Sequence, residues 1–83
     1  MKFNKNDIVC HLAIGYNYKV VGTSLEPRKS KVNPYNNKEI YPEKGYDYLI
    51  MKEEISDNGE KSYKGIINAV ENQLELVERF ENN

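Results

Sequence analysis

From Ile8 to Ile14 the chain alternates, with Ile8, Cys10, Leu12 and Ile14 on one parity and Val9, His11 and Ala13 on the other. A period of two predicts a strand, and the more apolar set is assigned to its buried face. Gly15-Tyr16-Asn17 reads as a turn. Tyr18–Thr23 is β-branched and aromatic, which predicts a second strand, with Gly22 marking a bulge or bend. Tyr46–Glu53 predicts a third strand, and its continuous apolar run from Tyr48 to Met51 implies cover on both faces. Ser56-Asp57-Asn58-Gly59 is a turn whose Asn-Gly pair suits the two positive-φ positions of a type I′ hairpin. A fourth strand is expected from Lys61 to about Val70. The expected spans are 8–14, 18–24, 46–53, 61–70 and 74–79. The expected core is Ile8, Cys10, Leu12, Val20, Leu49, Ile67, Leu74 and Leu76.

The segment Ile66–Phe80, IINAVENQLELVERF, admits two readings. As a helix, Ile66, Val70, Leu74 and Val77 form an apolar stripe, and Glu75 and Arg79 form an i,i+4 pair. As strands, Leu74 and Leu76 alternate with Glu75 after a 3₁₀ turn at Glu71–Gln73. Runs this short are not separated by periodicity.

Residues 26–45 hold all three prolines, Pro27, Pro34 and Pro42. That spacing predicts a long loop, with at most a short extended piece at Glu39–Tyr41. A loop of about twenty residues in a compact domain is uncommon and is often functional, although a tolerated insertion has the same look.

FNKNDIV, a hairpin ending in YKVVG, a YDYLI strand and VENQLELVE together resemble small Src-homology-3-like barrels, especially the single-domain versions of phages and bacterial mobile elements. The likeness covers residues 3–25 and 46–79; the proline-rich stretch departs from it. It implies a mainly β fold, a single five-stranded small barrel over residues 1–83 with a long loop at 26–45. The alternative is α+β, a four-stranded sheet with a C-terminal helix over 66–80. The barrel likeness implies a binding module, and fold analogy is a weak warrant for function.

At 83 residues the chain forms one domain and buries only about 60–65% of its unfolded surface. One cysteine allows no internal disulfide and fits a reducing compartment. No apolar run approaches the roughly 18 residues of a membrane span, and MKFNKND lacks a signal-peptide core. The expected location is cytoplasmic. The net charge of −1 is unevenly placed. Residues 1–44 carry 8 bases and 4 acids (8 − 4 = +4), and residues 45–83 carry 4 bases and 9 acids (4 − 9 = −5). Ten Lys against two Arg, with eleven Asn, fits an AT-rich genome such as that of a phage.

Cys10 and His11 are the only thiol and imidazole. Neighbours on a strand point to opposite faces, so they cannot share a proton; Cys10 is expected in the core, and His11 is expected to face out or to sit under the long loop. One Cys and one His make no closed zinc site, the scattered glycines make no phosphate loop, and Glu53, Glu54 and Asp57 lack calcium-loop spacing. No catalytic group, metal or cofactor is therefore assigned. Seven tyrosines remain, with a short basic cluster. The expected partner-binding set is Arg28, Lys29, Lys31, Tyr35 and Tyr41, adjoined by Tyr16 and Tyr46. Tyrosine suits protein interfaces, and a cation beside an aromatic ring also suits nucleic acid. The leading expectation is a non-enzymatic interaction module for a protein partner, with no role for a membrane. The alternatives are nucleic acid or a small anionic ligand such as a nucleotide.

Overall fold

A computed structural model describes residues 1–33 and 36–81. It is mainly β. The strands are β1 (Ile8–His11), β2 (Asn17–Thr23), β3 (Arg28–Asn33), β4 (Asn36–Ile40), β5 (Tyr48–Ile55), β6 (Lys61–Ala69) and β7 (Leu74–Glu78), with a 3₁₀ turn at Glu71–Gln73. Five form an antiparallel sheet in the order β6-β5-β2-β1-β7, and β3 and β4 form a second sheet of their own. The five-stranded sheet is open, with β6 and β7 at its edges, so the expected barrel closure is not made. Among the described residues no helix is long and apolar enough to cross a membrane.

The helix considered for 66–80 is not formed. The Gln73 amide nitrogen donates to the Val70 carbonyl at 3.0 Å, while the Val70 N–H donates to Gln73 Oε1 at 3.1 Å. The Glu71 N–H donates to Asp47 Oδ2 at 2.8 Å. These bonds stop β6 and turn the chain into β7, where Leu74 and Leu76 pair with His11 and Val9.

The long loop expected at 26–45 is largely a β-hairpin, with Arg28 opposite Ile40, Lys29 opposite Glu39 and Ser30 opposite Lys38. Pro27 precedes β3 and Pro42 follows β4, so these prolines bound the strands rather than interrupt them. The expected extended piece at Glu39–Tyr41 coincides only with the end of β4, at Glu39 and Ile40.

The register of β1 is one residue from the expected one. Val9 and His11 are buried; Ile8 and Cys10 are half-buried on the other face, and Leu12 is 56% exposed. Both parities are apolar here, so alternation alone does not say which faces inward. The strand also ends early. The Ile14 and Gly15 N–H groups both donate to the His11 carbonyl, and Gly15 sits at φ 85°, which lifts Leu12 and Ile14 into an exposed turn. Val20, Leu49 and Leu74 are buried as expected, while Ile67 and Leu76 are 37% and 38% exposed because they lie on the two edge strands.

The core cluster is Phe3, Val9, Tyr18, Val20, Tyr48, Ile50, Ala69 and Leu74. Leu49 is also buried, lying under Gly22 and Arg28, so β5 is covered on both faces. Gly22 falls at the expected bulge, where the β2–β5 register shifts. The β5–β6 turn differs from type I′. Only Gly59 of the Asn-Gly pair has positive φ, and its N–H donates to the Ser56 carbonyl at 2.9 Å.

The N-terminal segment is a strap across one end of the sheet. Phe3 is 1% exposed and meets Tyr48 edge to face at 5.5 Å. The Phe3 N–H donates to the Tyr48 hydroxyl oxygen at 3.2 Å, and that hydroxyl donates to Glu71 Oε2 at 2.9 Å. Asp7, fully buried, accepts from Arg79 Nη1, the Asn4 N–H and the Phe80 N–H at 2.8, 2.9 and 2.9 Å. One carboxylate thus joins the strap to the chain after β7.

Candidate interaction surface

The β3–β4 hairpin begins at a tight turn. Thr23 Oγ1 accepts from the Leu25 and Glu26 N–H groups at 3.1 and 2.9 Å, and the Thr23 N–H donates to the Glu26 carbonyl. This threonine-led turn reverses the chain without a glycine. Lys5 Nζ reaches the Pro27 carbonyl at 3.3 Å. Glycine is needed one residue before Thr23: a Cβ on Gly22 would lie 3.0 Å from the Arg28 nitrogen and 3.3 Å from Leu49 Cδ1. The hairpin ends in a second fixed turn, where the Glu43 N–H donates to Asn68 Oδ1 at 2.8 Å and the Tyr46 N–H to the Glu43 carbonyl at 2.9 Å. Entry and exit therefore lie at the end of the main sheet where Thr23 pairs with Tyr48.

The register divides the expected basic cluster. Arg28 shares a parity with Ser30 and, across the hairpin, with Lys38 and Ile40. Lys29 and Glu39 take the other parity. Arg28 is half-buried at the root, with Nη1 3.5 Å from Met51 Sδ, so it braces the hairpin against β5. Lys29 is exposed. Lys31 stands opposite Asn37 in the ladder, and Tyr35 lies outside the described residues. Tyr41 is 52% exposed and donates to Glu39 Oε2 at 3.2 Å. That hydrogen bond, with the Glu39 charge, raises the Tyr41 phenol above its ordinary value.

Tyr46 is 43% exposed at the hairpin's exit. Tyr16 lies away from it. It follows the β1 turn at the opposite end of the β2–β5 pair, where Lys52 Nζ lies 4.0 Å over its ring. The pairs Thr23–Tyr48 and Tyr18–Lys52 mark the two ends, four residues apart on β5 and so roughly 13 Å at about 3.3 Å per residue.

Sequence reasoning missed Leu25, which is 80% exposed on the entry turn. An open cleft of about 430 Å³ lies beside it, walled by Met1, Phe3, Lys5 and Glu26. Leu25 stood among polar residues without any period, so only the folded turn gives it meaning. The expected faces of Cys10 and His11 are reversed, since His11 is 6% exposed and Cys10 is half-buried. Among the described residues no three His, Cys, Asp or Glu side chains gather as metal ligands. The chain matches no protein-family model, no curated protein and no solved structure.

Proposed function

We propose that this chain is a non-enzymatic interaction module that binds a protein partner at the root and along the outer part of the β3–β4 hairpin. The observation that carries the reading is the hairpin's independence. It is a two-stranded sheet of its own that meets the main sheet near Gly22 and Arg28, and among the described side chains none of Arg28, Lys29, Ser30, Lys38, Glu39 or Ile40 belongs to the core cluster. A projection that the core does not require is free to serve recognition. Leu25, Tyr41 and Tyr46 are exposed at its root, which supplies apolar and aromatic anchors of the kind protein interfaces use.

The charge supports an acidic partner segment. Residues 26–45 carry 5 bases and 3 acids (5 − 3 = +2), so the rest of the chain carries −1 − 2 = −3.

The test places a photoreactive residue at position 41 and, in a separate variant, at Asp57 in the distant β5–β6 turn. Irradiation in extract of the source cells should give a discrete protein adduct from position 41 only. Equal adducts from both positions, or none from 41, would remove the proposal. An adduct with nucleic acid, or displacement by free nucleotides, would transfer the surface to one of the other two ligand classes.

A further inference from the structure

We infer that the two open edges of the main sheet are complementary, so that β6 of one copy pairs with β7 of a second copy. Among the described residues neither strand has a partner on its outer side. Each keeps apolar side chains partly in solvent: Ile66 and Ile67 on β6 are 41% and 37% exposed, and Leu76 and Val77 on β7 are 38% and 51% exposed. An uncovered edge of this kind is a template for another strand.

The charges select the partner. The bases on β6 are Lys61 and Lys64, and the strand has no acid; β7 carries Glu75 and Glu78 and no base. Charged side chains on an edge ordinarily oppose pairing. Pairing β6 with β6 gathers lysines, and pairing β7 with β7 gathers glutamates; like charges across a ladder are destabilising. Of the three pairings of these two edges, only β6 with β7 brings opposite signs together. Lys61 and Lys64 also reach Glu53 and Glu54 of β5, at 4.0 and 3.3 Å, yet their side chains stay 50% and 73% exposed. The lysine ends of these pairs stay largely in solvent and remain available to a neighbour.

The contact is heterologous, since two different edges meet, and it leads to a ring or an open chain of copies. The five residues of β7 limit the ladder, so the association is weak and concentration-dependent. It uses a surface separate from the hairpin and stands apart from the proposed partner.

Sedimentation velocity tests it, with wild type followed over about a hundredfold concentration range up to about 1 mM. The weight-average mass should rise with concentration and fall back in high salt, which screens the edge charges. Glu75→Lys/Glu78→Lys should self-associate about tenfold or more weakly, yet still bind labelled wild type through its intact β6. Lys61→Glu/Lys64→Glu should likewise self-associate about tenfold or more weakly alone and should associate when mixed with the first variant. Circular dichroism melts confirm that each variant is folded. The first variant reverses glutamates that no described ion pair engages, so it decides the matter even where the lysine variant is unstable. A wild type that stays monomeric at the highest concentration would overturn the inference. So would a glutamate variant that self-associates as wild type does, or one that does not bind wild type.

Discussion

Asp7→Asn keeps the side chain's shape and removes its charge. The carboxylate is fully buried and takes three donors: the Arg79 guanidinium and the Asn4 and Phe80 N–H groups. An amide offers one oxygen, so its NH2 must face at least one of these donors. The loss of one charge-assisted bond costs about 1.5–3 kcal/mol, and a donor left unpaired in the interior costs about 1–3 kcal/mol more. Some of this overlaps, because Arg79 is 42% exposed and water replaces part of its bond. The expected loss is about 3 kcal/mol, or roughly 12–24 °C in melting temperature at about 4–8 °C per kcal/mol for a domain this small. Arg79→Met, which keeps the apolar stem and leaves Asp7 with two backbone donors, should cost less, about 1–2 kcal/mol. Urea unfolding followed by circular dichroism measures both. The double variant should be less destabilised than the sum, because the two residues act on each other. A loss below about 0.5 kcal/mol for Asp7→Asn, the range of an ordinary surface change, would refute the latch.

The β1 register separates two truncations: Val9→Ala should cost about 1.5–3 kcal/mol and Leu12→Ala less than about 1 kcal/mol, with the reverse order restoring the register expected from sequence. Gly22→Ala should destabilise by about 1–3 kcal/mol in urea melts, because the new methyl group meets the Arg28 backbone and Leu49. Burial, together with the Glu71 hydrogen bond and charge, raises the Tyr48 phenol above its ordinary value of 10.0. The folded state therefore keeps this proton at pH values where the unfolded chain has lost it. That contribution is whole below about pH 10 and is lost as pH rises through the raised folded value. Tyr48→Phe should cost about 1–2 kcal/mol at neutral pH and flatten the alkaline fall in stability, and an unchanged pH profile would count against the assignment.

Much of the main sheet is legible in the sequence, because β2, β5 and β6 carry β-branched or aromatic residues between clear turn signals. The final strand is legible as one of two readings, and its choice rests on a tertiary contact, Asp47 holding the Glu71 N–H. The face of β1 is not legible, since Val9 and Ile8 are equally apolar and only pairing with β2 and β7 decides between them. The hairpin is hidden by its polar strands and by prolines that mark its limits but read as breaks. The strap is hidden too: Phe3 and Asp7 are separated along the chain from Tyr48 and Arg79, which give them their roles. Of the expected surface, Tyr41 and Tyr46 lie at the hairpin's root and Lys29 is on β3, while Arg28 is a brace and Tyr16 belongs to the far end.

The central claim is that the hairpin serves recognition and the core does not need it. Replacing residues 29–39 with a short Gly-Ser connection, while keeping Arg28 and Ile40 at the root, tests both halves in one protein. The shortened chain should keep its cooperative urea transition, within about 1 kcal/mol of wild type, because every described member of the core cluster lies outside residues 29–39. It should also hold the protein captured at position 41 about tenfold or more weakly, because the outer part of the hairpin is gone while Leu25, Tyr41 and Tyr46 remain at the root. A shortened chain that unfolds, or one that folds and holds the partner at full strength, would contradict the account.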